Sequence, residues 1–335
     1  MRLLPAVLVA ALGLSACAAP YIQPPLTPPS NFAGPSVQDH ALVMSDGARL
    51  PLMRWGPERE PWAVSVALHG MNDHAASFRL AGPWWAEQGI ETWAYDQRGF
   101  GAAPGRGQWA GQARMTEDLR EAVALARARH PDAVIAVVGE SMGGSVTAAA
   151  FGPDRPPDAD RVVLLAPGVW GWSTQGWLNT AALNIAARMS GSKAVEPPRF
   201  IANRIQASSN VLELYRNGRD PESILSTQFD TLYGLVDLME TSSRRLGRIQ
   251  TPILMYGAHD EVVEKGPMRR ALEQMPADTT LRTAWYPDGW HLLNRDLDAE
   301  VVYRDVAAFL RDPDGALPSG AGPVLPQLEA LARSR

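Results

Sequence analysis

A serine flanked by glycines, in the pattern G-x-S-x-G, constrains the fold of this 335-residue sequence more than any other feature. The pattern occupies residues 139–143, directly after the apolar run 134–138 and directly before a run of small residues that ends at Ala150. A strand that turns at once into a helix leaves no room for side chains beside the turn and holds the serine in a strained conformation. The context therefore favours a nucleophile at Ser141 over a glycine-rich turn that merely packs.

A serine hydroxyl is a weak nucleophile near neutral pH, so it needs a general base that is itself oriented by a third group. His291 follows the last predicted strand, 281–285, where the chain order serine, acid, histidine puts the base. Asp260 follows the apolar strand 253–256 and should emerge at the same sheet edge, with Glu261 as its near competitor. The sequence therefore predicts a triad made of Ser141, Asp260 and His291.

The other five histidines are weaker candidates for the base. One precedes the predicted sheet, one ends a charged helix, and one adjoins the acid and should help to form its loop: His40, His130 and His259. His69 and His74 bracket the loop after the strand 63–68. We interpret them as hydrogen-bonding braces of that loop rather than as a metal pair.

Attack on a carbonyl creates an oxyanion that needs backbone donors. Met142 follows the serine at the start of the predicted helix, so its N–H is available as the first donor. Gly70 allows the loop after the strand 63–68 to turn sharply, so that the Met71 N–H faces the pocket from the opposite side. Met71 and Met142 are therefore the predicted oxyanion donors.

Short apolar runs alternate with helical segments from residue 63 to residue 165 and again from residue 253 to residue 310. Fully apolar strands separated by helices predict an α/β fold, a mostly parallel sheet with helices on both faces. Between about 168 and 248 the alternation stops, and helical apolar faces with no convincing strand replace it. We interpret this stretch as a helical lid over the carboxyl edge of the sheet.

The motifs together resemble a known group, the monoacylglycerol lipase and lysophospholipase branch of the α/β hydrolases, also called the hydrolase_4 or serine aminopeptidase S33 family. The resemblance covers residues 42–310 and rests on His291 and four segments: His69-Gly-Met-Asn-Asp-His74, Tyr95-Asp-Gln-Arg-Gly-Phe-Gly101, Gly139-Glu-Ser-Met-Gly-Gly144 and Gly257-Ala-His-Asp260. It implies an α/β-hydrolase fold with a helical lid, hydrolysis of single-chain lipid esters or similar acyl esters, and oxyanion donors at Met71 and Met142. Phe100 replaces a histidine usual in the family, and residues 102–105 replace its Ser-x-Gly stretch, which bears on the substrate rather than on the mechanism.

Three tryptophans begin the predicted lid and are candidates for lining an acyl channel or resting on a membrane interface: Trp170, Trp172 and Trp177. They could equally pack the lid on the sheet domain. Within the same chemistry a peptidase or amidase is possible, with an acidic lid residue to hold a free amino terminus: Glu213, Asp237 or Glu240. The motifs are also compatible with a cofactor-free haloperoxidase, an acyltransferase, or a degenerate protein of this fold that has no enzymatic activity.

Composition argues against several classes of partner. The formal net charge is −5 with acidic and basic residues interspersed, so a nucleic-acid partner is not expected. The single cysteine, Cys17, cannot form an internal disulfide, and no cluster of cysteine and histidine has zinc-site spacing. We therefore expect no metal. Acyl transfer through a serine nucleophile needs no cofactor, and the family resemblance implies a small-molecule acyl ester or lipid as the substrate.

The first residues have the shape of a signal peptide, with Arg2, an apolar stretch 3–14 and the run Leu14-Ser15-Ala16-Cys17. This run resembles a bacterial lipobox, which implies cleavage before Cys17 and lipidation of its thiol. Because no aspartate follows the cysteine, the resemblance implies an outer-membrane lipoprotein facing the periplasm. A plain secretory signal would instead give a secreted or periplasmic protein.

The predicted organisation has six parts. A signal peptide covers 1–16, a proline-rich tether 17–36, the first part of the hydrolase core 37–167, the helical lid 168–248, the second part of the core 249–312 and a flexible tail 313–335.

Overall fold

A computed structural model describes residues 19–152, 155–196 and 205–333 of the chain. Within these ranges nine strands form one sheet in the order β1-β2-β3-β5-β4-β6-β7-β10-β11. Their bounds are β1 Ser36–Gln38, β2 Ala41–Val43, β3 Arg49–Trp55, β4 Ala63–Leu68, β5 Ile90–Tyr95, β6 Val134–Glu140, β7 Arg161–Leu165, β10 Pro252–Gly257 and β11 Arg282–Tyr286. The six strands from β5 to β11 in that order pair in parallel, while β1, β2 and β3 pair antiparallel.

Helices cover both faces of this sheet. They are α1 Ala81–Glu87, α2 Gln112–Arg129, α3 Met142–Ala150, α4 Trp177–Ser190, α5 Val211–Asn217, α6 Phe229–Arg245, α7 Lys265–Glu273, α8 Ala299–Arg311 and α9 Val324–Arg333. Side chains of α2, α3, α7 and α9 join the core on one face, and those of α1 and α8 join the core on the other. The predicted fold class, a mostly parallel sheet between two layers of helices, is confirmed.

The burial of the central strands explains why their sequences are unbroken apolar runs. Along β6, Ile135 and Val137 enter one core while Ala136 and Val138 enter the other. Successive side chains of a strand point to opposite faces, so a strand covered on both sides must be apolar at every position. Complete burial of each larger aliphatic side chain stabilises the fold by roughly 1.5–3 kcal/mol.

The insertion between β7 and β10 is not all helical as expected. Besides α4, α5 and α6 it contains two short strands, β8 Ala194–Val195 and β9 Thr227–Gln228, which pair antiparallel. Two residues are too few to produce an alternating pattern, so the sequence held no signal for this pairing. The helix α6 packs on α3, the helix that begins directly after Ser141.

The C-terminal segment differs from the expectation of a flexible tail at 313–335. Up to residue 333 it packs on the domain, where Val324 and Leu328 of α9 are buried. The Trp285 N–H donates to the Gly322 carbonyl oxygen at 2.8 Å, and the Val324 N–H donates to the Thr283 hydroxyl at 3.0 Å. These bonds attach the segment to the edge strand β11, and a composition rich in Pro, Gly and Ala does not reveal them.

The described part of the proline-rich segment lies along the domain. The Gln23 N–H donates to the Trp109 carbonyl oxygen at 2.7 Å, and the Leu26 N–H donates to an Asp46 carboxylate oxygen at 2.9 Å. The predicted signal peptide and Cys17 lie outside the described residues. Within the residues that are described, we find no helix with the length and apolar character needed to cross a bilayer.

Candidate active site

Ser141 lies in the turn between β6 and α3 with φ 52° and ψ −115°, a conformation that costs a non-glycine residue free energy. Its neighbours explain the motif. A side chain at Gly139 would place its first carbon 2.6 Å from the Gly143 carbonyl oxygen, and one at Gly143 would place it 2.3 Å from the Leu68 carbonyl oxygen. The turn therefore closes only with glycine on both sides, and it holds the serine at the carboxyl end of a central strand.

Asp260 and His291 are in direct contact. The His291 Nδ1–H donates to Oδ2 of Asp260 at 2.9 Å, and both side chains are almost completely buried. The second oxygen of Asp260 accepts the backbone N–H groups of Val262 and Val263, each at 2.8 Å. Because its own oxygens are fixed in this way, Asp260 determines the tautomer and the orientation of the imidazole ring.

The charges around His291 favour its protonated form. Burial lowers the pKa of the ring and the charge and hydrogen bond of Asp260 raise it, and with all neighbours included the pKa of His291 lies above its ordinary value. The Glu140 carboxylate adds to this rise in pKa and the Arg295 guanidinium opposes it. An imidazole that is stabilised as imidazolium is suited to accept a proton from a nucleophile.

The three predicted triad residues share one edge of the sheet, since β6, β10 and β11 are parallel and each residue follows the carboxyl end of its strand. The contact with Asp260 uses Nδ1, which leaves Nε2 of His291 for proton transfer. The hydrogen bonds of the described residues do not include one between this nitrogen and the Ser141 hydroxyl. In free enzymes such contacts are often long and tighten when substrate binds.

The loop after β4 passes directly beside the serine. A side chain at Gly70 would place its first carbon 3.3 Å from the Ser141 Cβ and 3.8 Å from its Oγ. Met71 follows in this loop, and Met142 is the first residue of α3, whose N–H has no acceptor within the helix. The two amides predicted as oxyanion donors therefore belong to residues next to this close contact, Met71 after Gly70 and Met142 after Ser141.

His69 braces the loop, in agreement with the interpretation of the sequence. Its Nδ1–H donates to the Gly70 carbonyl oxygen at 2.7 Å, and its Nε2 accepts the Gln97 N–H at 3.0 Å. Burial lowers the pKa of this ring, in keeping with a neutral histidine that donates through one nitrogen and accepts through the other.

His74 links the same loop to the insertion. Its Nε2 lies 3.2 Å from an Asp220 oxygen, and its Nδ1 lies 3.0 Å from a Glu222 oxygen. Each of these three side chains offers one atom of a type that can bind a metal, and the three atoms lie within 4.8 Å of one another. Because both ring nitrogens contact these oxygens directly, we interpret the three residues as a polar link between the loop and the insertion.

The weaker candidates for base and acid have other contacts or lie on the surface. His259 stacks on Trp290 with ring centroids 5.1 Å apart, and His130 contacts Glu60 at 2.8 Å beside the amino-terminal end of β6. His40 is exposed. Glu261, the competitor of Asp260, accepts the Gln206 N–H at 2.8 Å.

The three tryptophans of the insertion have different surroundings. Trp172 donates to Asp237 at 3.4 Å and packs on Tyr233, so it is held against α6. Trp170 is half-buried and Trp177 is 77% exposed at the start of α4. Among the described residues, the hydrogen bonds and ring contacts of these tryptophans do not reach the triad, so their predicted role in substrate binding stays a prediction.

Sequence reasoning missed a charged cluster beneath the site, formed by Asp73, Glu140 and Arg295. Arg295 contacts Asp73 at 2.7 Å and Glu140 at 2.8 Å, and Arg295 and Glu140 are fully buried. One signal was present, because Glu140 lies at the end of the otherwise apolar strand β6 and a buried carboxylate requires a cationic partner. Nothing in the sequence identified that partner, which lies 155 positions further on.

The chain is similar to known proteins over most of its length. The family model described as Serine aminopeptidase, S33 (Hydrolase_4) matches residues 59–298, which is most of the chain. The chain belongs to this family. The resemblance carried by the motifs is thereby confirmed, and the protein is a hydrolase.

Similar proteins include a monoacylglycerol lipase of Mycolicibacterium smegmatis, 23% identical over 280 residues that make up 81% of this chain and 96% of that protein. A monoglyceride lipase of Rattus norvegicus is 22% identical over 265 residues, covering 76% of this chain and 84% of that protein. Among solved structures, a soluble variant of the Saccharomyces cerevisiae monoglyceride lipase aligns with a TM-score of 0.65 and 19% identity, covering 86% of this chain and 98% of that one. A carboxyl esterase of Bacillus coagulans aligns with a TM-score of 0.64 and 16% identity, covering 83% and 96%. At this identity the structures establish the shared fold.

Proposed function

We propose that this protein is a lipase-like serine hydrolase that cleaves carboxylic esters of single-chain lipids, of the monoacylglycerol or lysophospholipid type, through an acyl-enzyme at Ser141. The observation that carries the proposal is the 2.9 Å hydrogen bond between His291 and Asp260, at the sheet edge where Ser141 occupies its strained turn. A base oriented by a buried acid beside an activated serine is the arrangement that acyl transfer requires.

In the proposed reaction Nε2 of His291 takes the proton of the Ser141 hydroxyl as its oxygen attacks the ester carbonyl carbon. The oxyanion accepts hydrogen bonds from the Met71 and Met142 N–H groups, and each such donor typically accounts for roughly 10²–10³ in kcat. The intermediate collapses, the proton passes from His291 to the departing alcohol, and an acyl-enzyme remains. Water, deprotonated by His291, then attacks the acyl carbonyl; Ser141 departs with that proton, and the carboxylic acid is released.

The substrate class is supported by the insertion and by the similar proteins. Along α4 four large apolar side chains are more than half exposed: Trp177, Leu178, Ile185 and Met189. An exposed apolar helix in the insertion suits an acyl chain or a lipid surface. The names of the similar proteins, a monoacylglycerol lipase and a monoglyceride lipase, point to the same substrate class.

A peptidase of the same fold has less support. It needs an unpaired acidic group for a free amino terminus, and each candidate in the insertion already has a partner. Glu213 pairs with Arg79, Glu240 accepts the Ser173 N–H and pairs with Arg244, and Asp237 accepts from Trp172. We therefore favour an ester substrate over a peptide substrate.

The proposal is tested with purified wild-type protein and the Ser141→Ala variant on three substrates: a monoacylglycerol, a lysophospholipid and an aminoacyl-naphthylamide. We expect turnover of one or both lipid esters by the wild type and none by the variant, with unchanged circular dichroism. Retained ester turnover by Ser141→Ala would contradict the proposed nucleophile. Preferential cleavage of the naphthylamide would replace the lipase assignment with a peptidase.

For the cellular location we propose a lipid anchor on Cys17 in the outer membrane, facing the periplasm. The support is the lipobox-like run of residues 14–17. Expression of the wild type and of Cys17→Ser in a Gram-negative bacterium with labelled palmitate tests it. Label in the membrane fraction for the wild type alone is the expected result, and equal labelling or a soluble wild type would contradict it.

A further inference from the structure

Arg295 is an almost completely buried cation close to the site, with 1% of its surface exposed. Its Nη1 lies 2.7 Å from Asp73 Oδ2, and its Nη2 donates to Glu140 Oε2 at 2.8 Å. The guanidinium therefore reaches two carboxylates with two different nitrogens, which a planar fork of donors can do and a single ammonium cannot.

The three charged residues belong to the three segments that carry the proposed chemistry. Asp73 lies two positions after Met71, Glu140 directly precedes Ser141, and Arg295 lies four positions after His291. Asp73 also fixes its own loop, because its Oδ1 accepts the His74 N–H at 2.9 Å and its N–H donates to the Gly70 carbonyl oxygen at 3.4 Å. One guanidinium thus connects the oxyanion loop, the nucleophile turn and the loop of the base.

We propose that Arg295 is a positioning residue that sets the Met71 amide and His291 relative to the Ser141 hydroxyl; this inference rests on the proposed function. Buried carboxylates at Asp73 and Glu140 repel each other unless a cation lies between them. Without both contacts the loops are free to separate, and a misplacement of about 1 Å in a reacting group can reduce the rate about 10²-fold.

The chain offers a matched control for the loss of a buried arginine. Arg98 is also 1% exposed and bridges two carboxylates, Asp46 and Asp118, with contacts of 2.7 Å. Asp46 lies in the turn between β2 and β3 and Asp118 lies in α2, so neither belongs to a segment of the proposed site. Replacing Arg98 disrupts a comparable buried network whose two carboxylates lie outside the catalytic loops.

The experiment compares kcat, KM and thermal unfolding of the wild type, Arg295→Lys and Arg98→Lys on the preferred lipid ester. We expect Arg295→Lys to lower kcat at least 10-fold with KM within about threefold, because lysine keeps the charge but reaches only one carboxylate. Arg98→Lys should lower the unfolding temperature to a similar extent and leave kcat within about twofold. A purely structural role predicts the same small kcat change in both variants, and that outcome overturns the proposal.

A second variant decides the matter if Arg295→Lys does not fold. Asp73→Asn retains the shape of the side chain and weakens one contact of Arg295, so we expect a lower kcat with KM again little changed. If the double variant Asp73→Asn/Arg295→Lys folds, its loss in kcat should be smaller than the product of the two single losses. Both substitutions act on the same contact, the one between Arg295 and Asp73. An unchanged kcat in Asp73→Asn overturns the proposal.

An inactive wild type overturns the proposed function and this inference together, whereas an active wild type with an equally active Arg295→Lys overturns this inference alone.

Discussion

The carboxylate of Asp260 and the imidazole of His291 are joined at 2.9 Å although they stand 31 positions apart in the chain. The parallel pairing of β10 with β11 produces this contact, because each residue lies in the loop that follows its strand. The geometry of the pair makes several properties of the protein predictable.

Replacing Asp260 with asparagine should disable the base while preserving the fold. The amide oxygen can still accept the Val262 and Val263 N–H groups, but the amide NH2 would meet the ring and favour the wrong tautomer of His291. We expect kcat to fall by about 10⁴-fold, the scale seen for this change in serine proteases. Steady-state kinetics measure it, with the exposed Asp288→Asn as the matched control. An Asp260→Asn enzyme within about tenfold of the wild type would contradict the role of this acid.

The raised pKa of His291 predicts the pH dependence of the reaction. The base acts only when neutral, so kcat/KM should fall as the pH drops through the pKa of the free enzyme, and this acid limb should lie above pH 6.5, the ordinary value for histidine. Proton NMR titration of His291 in the inactive Ser141→Ala variant gives an independent reading of the same pKa. Replacing Asp260 in that variant should lower it. A histidine that titrates below pH 6.5 with Asp260 intact would refute the electrostatic description.

Gly70 should tolerate a side chain poorly. The first carbon of an alanine there would lie 3.3 Å from the Ser141 Cβ, so either the serine or the oxyanion loop must shift. We expect Gly70→Ala to lower kcat at least 10-fold, consistent with the loss of about one oxyanion donor. Gly176→Ala is the control, since its added carbon meets no atom within 4 Å. Equal kcat values in the two variants would show that this close approach has no catalytic importance.

The backbone strain at Ser141 should lower the free energy of unfolding by a measurable amount. With φ at 52° the position favours glycine, so the free energy of unfolding from denaturant titration should be about 1 kcal/mol higher for Ser141→Gly than for Ser141→Ala. Both variants lack the nucleophile, which removes differences in chemistry from the comparison. If the alanine variant is as stable as the glycine variant, the turn stores no such strain.

The sequence predicted the parts of the site whose signals are local. The glycines around Ser141 indicate a tight strand-to-helix turn, and the apolar runs before Asp260 and His291 indicate buried strands. The parallel sheet followed from strands that are apolar on both faces. In each case a few adjacent residues carry the information, because local backbone geometry and the side-chain period of a strand are set within them.

Other features depended on residues far apart in the chain. The strand pair β8–β9, the packing of α9 on the sheet edge and the contact of His74 with Asp220 and Glu222 have no periodic signature. The sequence around Glu140 indicated a buried carboxylate that requires a cationic partner. Only the tertiary structure identified that partner as Arg295, which also contacts Asp73.

By itself, then, the order of the amino acids determined the elements, the sheet and the residue types that carry chemistry, because these follow from short-range sterics and from the burial of apolar side chains. The tertiary structure alone decided which charges meet in the interior. Electrostatic partners at about 3 Å are selected by the packing of whole loops, and in a sequence with 36 acidic and 31 basic residues many pairings are possible until the fold has excluded all but a few.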